Sequence, residues 1–170
     1  MNFIAIETAT EWCLVALSSD AGIVSLERRA ANRQGEFVLP MLEQLFGRTG
    51  LGMQDLDAIA FGAGPGAFTG LRIACGVAQG LALARGLPVI GISTLEATAE
   101  ESGATRAIVA LDARMHEVYY AAFEKRVAEG KAAWHTMLPA ICVAPDEVEI
   151  PPGDAWLGCG SGFSGCGVRV

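Results

Sequence analysis

Leu56-Asp57-Ala58-Ile59-Ala60-Phe61-Gly62-Ala63-Gly64-Pro65-Gly66-Ala67-Phe68-Thr69-Gly70-Leu71-Arg72-Ile73 is the stretch that decides the fold. The apolar run to Phe61 reads as a buried strand. The glycines and Pro65 read as a sharp connection, and the segment from Thr69 or Gly70 to Arg85 reads as a helix. Working outward, Phe3 to Ile6, Cys13 to Ser18 and Ile23 to Arg29 form three strands, with Asp20-Ala21-Gly22 as a turn. Gln34 to Arg48 is helical, and Val89 to Ile92 is the next strand after Gly86-Leu87-Pro88 ends the second helix. Ser93-Thr94-Leu95-Glu96 has the form of a capping box opening a short helix to Ser102.

The two long helices are unusually apolar. On the first, Phe37, Val38, Met41, Leu42 and Leu45 make one stripe, and Leu39 and Phe46 widen it to roughly 200°, against the ~100° that suffices for a helix on one sheet. The second is apolar almost all round and keeps Gly76 and Gly80 in its interior, each costing about 1 kcal/mol relative to alanine. Such glycines imply close approach of another backbone. A soluble helix pair is the inference, because Arg72, Gln79 and Arg85 exclude a membrane span. The expected partner-binding residues are Leu39, Leu42, Leu45, Phe46, Ile73, Gly76, Val77, Gly80 and Leu83.

A strand-led pattern restarts near residue 104, with strands from Arg106 to Leu111, Glu117 to Phe123 and Ala133 to Leu138. The expected organisation is an α/β chain of two related lobes, 1–103 and 104–170. Gly158 to Gly167 reads as a loop that leads nowhere. A lobe made of those strands and that tail lacks the helices to cover its sheet, so the second lobe is expected to be truncated.

Composition narrows the function classes. Of 170 residues, 52% are hydrophobic and 18% charged, which excludes disorder. The net charge is -7, Lys125 and Lys131 are the only lysines, and the arginines form no run, so nucleic acid binding by the chain alone is not expected. The N-terminus has no basic region followed by an apolar core, and the cytoplasm is the expected location. Cys13, Cys75, Cys142, Cys159 and Cys166 show no C-x-x-C spacing and His116 and His135 lie far apart, so neither a disulfide framework nor a metal site is expected.

Three stretches are candidates for chemistry. Glu7-Thr8-Ala9-Thr10, at the tip of the first strand, offers a carboxylate and hydroxyls for phosphate and metal; the alternative is an ordinary hairpin turn. Gly64 and Gly66 precede a helix whose N-terminus attracts anions, or they simply connect strand to helix with Thr69 as cap. Asp112 and Arg114 flank a turn, either as a site or as a self-satisfied pair. Together Glu7, Thr8, Thr10, Gly64, Gly66, Asp112 and Arg114 form a candidate vestigial phosphate or nucleotide site. No G-x-S-x-G elbow is present, and nothing selects either histidine as a base.

Five ordered blocks carry a resemblance. They are Ile4 to Thr10, Leu39-Pro40-Met41-Leu42, Ala60 to Ile73, Gly91-Ile92-Ser93-Thr94-Leu95, and Leu111 to Tyr119. In order and spacing the chain resembles the TsaB (YeaZ) family. The resemblance implies the actin, Hsp70 and sugar-kinase (ASKHA) fold with duplicated lobes. It also implies a non-catalytic, cofactor-free partner of TsaD, the subunit that transfers a threonylcarbamoyl group to adenosine 37 of tRNA. TsaE joins the pair, tRNA is met only through the complex, and the chain alone forms a homodimer. The helices of the first lobe are the implied contact. TsaD-type chains hold a metal through H-x-x-x-H on the first helix, whereas the corresponding Asn32 to Val38 has no histidine. Glu7 stands where the family more often has Asp. The alternative is an enzyme of the same superfamily, a phosphotransferase or a glycoprotease-type metallopeptidase. A homodimer with a role unrelated to tRNA is a third reading.

Overall fold

The computed structural model describes residues 1–31 and 33–165 and divides into two compact units, with the boundary between Ser93 and Thr94. The expected boundary at residue 103 is corrected. The helix after Ser93 belongs to the second unit, because Leu95 and Ala99 are fully buried against that unit's sheet.

In the first unit the elements are β1 (Phe3–Glu7), β2 (Trp12–Ser19), β3 (Gly22–Arg29), α1 (Gln34–Thr49), β4 (Ala58–Gly64), α2 (Phe68–Arg85) and β5 (Val89–Ser93). The sheet order is β3-β2-β1-β4-β5. The first three strands are antiparallel, and β1, β4 and β5 run parallel. Alternation sets one face: Ile4 and Ile6 of β1 and Cys13, Val15 and Leu17 of β2 are all buried. Val38, Met41, Leu42 and Leu45 of α1 and Ala74, Ala78 and Ala82 of α2 cover that face. The buried residues of α2 are small, so this helix lies close on its sheet. Both helices end on a left-handed glycine, Gly50 at φ 69° and Gly86 at φ 66°, whose N–H groups satisfy the carbonyls of Phe46 and Ala82. Helix α2 begins at Phe68 with Ala67 as its cap residue, so the expected capping role of Thr69 is corrected.

The second unit contains α3 (Thr94–Glu101), β6 (Arg106–Arg114), β7 (Glu117–Ala128), β8 (Lys131–Val143), β9 (Leu157–Cys159) and α4 (Ser161–Gly165). Its sheet order is β8-β7-β6-β9, with β6 to β8 antiparallel and β9 parallel to β6. This repeats β3-β2-β1-β4 strand for strand, the duplicated arrangement of the ASKHA fold. One face buries Ala107, Val109, Leu111 and Ala121 with α3, and the other buries Ile108, Val118 and Tyr120 with Val148, Trp156 and Phe163. The Gly158 to Gly167 stretch is not all loop, since Ser161–Gly165 is helical. Gly160 and Gly162 permit that turn to sit on β6, because a Cβ at either would crowd the backbone of Ala110. Cys166 and the end of that stretch lie outside the described residues.

Candidate functional site

Helix α2 presents two opposed faces. Gly70, Ala74, Ala78 and Ala82 are buried, and at 100° per residue Arg72, Gly76 and Leu83 fall directly opposite them. Leu83 is 86% exposed and Phe68, in the first turn, 65%. Gly76 and Gly80 are exposed, and a Cβ on either would meet nothing within 4 Å. No backbone of the described residues therefore makes the close approach that these two glycines predicted. On α1, Leu39 is 55% exposed. The Ile73 side chain comes within 3.6 Å of where a Cβ on Gly35 would stand, which brings the start of α1 against the flank of α2.

The expected partner-binding set thus separates. Leu39, Gly76, Gly80 and Leu83 face outward. Phe46, Ile73 and Val77 are half-buried and pack against the unit's own core. Leu42 and Leu45 are corrected: at 3% and 0% exposure they are core residues that hold α1 to its sheet and present nothing outward. Two outward residues escaped sequence reasoning. The Arg72 guanidinium stacks 3.7 Å above the Phe68 ring. Placing the helix start at Thr69 left Phe68 in the connection, and the i, i+4 spacing of the pair was the signal that would have found it.

The strand-end crevice of the first unit, where open α/β sheets bind ligands, is filled from within. Glu7 leaves the end of β1 and lays its carboxylate over Gly62, where it accepts the Ala9 N–H. The Thr8 hydroxyl donates to the Gly70 carbonyl at 2.7 Å, and Ala67 N–H donates to the Ala9 carbonyl at 2.7 Å. Gly66 closes on Ala9 and Gly70 on Thr8 so tightly that a Cβ at either would overlap backbone. Buried Gln34 donates to the Thr10 carbonyl at 2.8 Å and secures the same loop to α1. Glu7, Thr8, Thr10 and Gly66 are therefore brought together, with Gly66 serving packing against Ala9, whereas Gly64 packs against Leu71 at the start of α2.

Asp112 and Arg114 belong to the other unit. Asp112 accepts the Arg114 N–H at 2.7 Å and pairs with its guanidinium at 3.3 Å, which is the self-satisfied arrangement. The Ser161 hydroxyl, at the start of α4, accepts the Asp112 N–H at 3.0 Å. Met115 and His116 form the two-residue hairpin loop, and Arg114, Met115 and His116 all have positive φ.

Among the described residues no group of three or more His, Cys, Asp or Glu could hold a metal, and no helix is long and apolar enough to cross a membrane. Burial pushes the thiols of Cys13 and Cys159 up, and burial with the Glu117 charge does the same for Cys142, the reverse of what activates a nucleophilic thiol.

Comparison with known proteins places this geometry. Residues 21–153 match the family model described as TsaD: tRNA N6-adenosine threonylcarbamoyltransferase. The chain is 42% identical over 139 residues to the tRNA threonylcarbamoyladenosine biosynthesis protein TsaB of Escherichia coli, covering 79% of this chain and 59% of that protein. It is 41% identical over 124 residues to the TsaB of Haemophilus influenzae, covering 71% and 52%. Among solved structures, YeaZ from Pseudomonas aeruginosa superposes with a TM-score of 0.87 at 37% identity, covering 96% of this chain and 77% of that one. The chain belongs to the TsaB (YeaZ) family. The TsaB relatives are named as tRNA threonylcarbamoyladenosine biosynthesis proteins. The match spans little more than half the length of those two TsaB proteins. A TsaB-family chain of this kind keeps the duplicated ASKHA-like fold and offers two contrasting places, a filled crevice and an open helix face.

Proposed function

We propose that this chain is a non-catalytic partner subunit in forming tRNA N6-threonylcarbamoyladenosine, docking onto TsaD through the outward faces of α1 and α2. One observation carries the reading. The face of α2 opposite its buried alanines combines exposed Leu83 and Phe68 with Gly76 and Gly80, which leave a groove for a second helix. Leu39 extends the surface onto α1. A specific contact there would bury about 1,600 Å² in total. The Glu7 carboxylate over Gly62 supports a supporting subunit over the superfamily-enzyme alternative, because its negative charge at the strand end opposes a phosphate there.

In this reading TsaD carries out the transfer, TsaE joins the pair, tRNA is met only through the complex, and the chain alone pairs with itself through the same face. The setting is the cytoplasm. Co-purification with TsaD, followed by analytical ultracentrifugation, tests it. Wild type is expected to form a stoichiometric complex, and Leu83→Asp or Gly76→Leu to abolish it while the thermal melt of the free chain is kept. Undiminished assembly of both variants overturns the docking face. Tight stoichiometric binding of ATP and Mg²⁺ by the isolated chain, measured by titration calorimetry, would overturn the non-catalytic assignment.

A further inference from the structure

We infer that Arg72, braced by Phe68, is the polar anchor of the docking face and takes a carboxylate from the partner's helix; this rests on the docking role proposed above. The outward row of α2 reads Thr69, Arg72, Gly76, Gln79, Gly80 and Leu83, so Arg72 is its single charge. Its guanidinium carbon lies 3.7 Å from the centroid of the Phe68 ring, a contact that restrains the group on an exposed turn of the helix. Among the described residues no carboxylate pairs with it, whereas Arg29, Arg33, Arg106, Arg114 and Arg126 each hold one. Among the described residues Arg28, Arg48 and Arg85 hold none either, and Arg28 lies 4.0 Å over the Phe37 ring; what sets Arg72 apart is its place one turn from Gly76 on the outward row of α2.

The energetics fix the partner's chemistry. Docking a helix against Gly76 and Gly80 covers the turn that carries Arg72 and strips water from its donors. A desolvated guanidinium without a partner costs several kcal/mol, so the covering surface must bring an acceptor. A carboxylate takes two parallel N–H bonds from the planar fork, the geometry that a pre-oriented arginine favours. An aromatic residue and an arginine in contact are also the residue types that dominate interface energetics. A lysine would supply charge without the fork or the stacked face, so the pair sets specificity as well as strength.

The test measures affinity of the full chain for TsaD by surface plasmon resonance at several salt concentrations. Wild type, Arg72→Gln, Arg72→Met, Arg72→Lys and Leu83→Asp are compared, with thermal melts confirming that each is folded. Arg72→Gln and Arg72→Met, the latter retaining contact with Phe68, are expected to weaken binding by about tenfold or more and to flatten its salt dependence. Arg72→Lys should fall between them and wild type. If Leu83→Asp abolishes the complex while Arg72→Gln and Arg72→Met bind within about twofold of wild type with unchanged salt dependence, the anchor is refuted and the docking face stands. If Leu83→Asp binds normally, the docking reading fails and the anchor with it.

Discussion

The hairpin joining β6 to β7 carries a stability cost that substitution should recover. Arg114, Met115 and His116 have φ values of 68°, 52° and 63°, a left-handed run without a glycine. Arg114 pairs with Glu117, so Met115 and His116 form a two-residue loop with φ positive at both positions, which Asn-Gly adopts with little strain. Each ordinary side chain held there costs about 1 kcal/mol, so Met115→Asn with His116→Gly should relieve about 2. The added glycine loosens the unfolded chain and takes back about 0.5–1 kcal/mol. The net gain of about 1 kcal/mol corresponds to roughly 4–8 °C in the melting of a unit this size. Trp134 and Trp156 lie in this unit and Trp12 in the other, so a differential scanning calorimetry trace paired with tryptophan fluorescence assigns the transition. A midpoint that stays put or falls would refute the strain argument. Met115 is 91% exposed and contributes no packing that the substitution would forfeit.

Other outcomes follow from geometry already described. Gly70→Ala drives a Cβ into the Thr8 carbonyl and should destabilise the first unit by roughly 2 kcal/mol or more, read as a lowered urea midpoint; an unchanged midpoint would mean the loop at residues 8–10 yields freely. The Glu124 carboxyl is held below its usual range by bonds from Arg126 and Arg106, and Glu100 by Lys125 and Trp134. Lowered folded values mean that this support is complete above about pH 4.5 and fades as pH falls through them, so Glu124→Gln should flatten the acid limb of the stability curve. Burial and the Glu149 charge push the Tyr120 hydroxyl up to about 12. A raised value means that its support is complete below about pH 10 and lost between there and pH 12, and absorbance of tyrosinate in the native protein should lag free tyrosine. Iodoacetamide at pH 8 should leave Cys13 unlabelled until denaturant is added, since that thiol is buried and its ionisation disfavoured.

Most of the strand and helix order was legible because its signals are local. Glycine and proline punctuate the passage from β4 to α2, and the alternation of Ile4, Ile6, Cys13, Val15 and Leu17 marks one buried face. What was not legible depended on tertiary contact. The glycine-rich run after Gly158 has poor helix propensity, yet Ser161–Gly165 is helical where Gly160 and Gly162 let the chain close on Ala110 and Phe163 packs on the core. The domain boundary moved because Leu95 and Ala99 bury against the strands that follow them. Periodicity showed that α1 is apolar over a wide arc but could not divide it, so Leu42 and Leu45 were grouped with Leu39 although they point inward. At the candidate site Gly76, Gly80 and Leu83 were read from spacing, whereas Phe68 and Arg72 required the helix start to be placed one residue earlier.

The segment that carries Phe68 and Arg72 is continuous with the glycines clasped by Thr8 and Ala9. That clasp is made of the chain's own residues 8 and 9, so the seat of α2 is written into the polypeptide itself. Under the proposed docking role, the helix therefore meets its partner in a geometry set by local contacts alone.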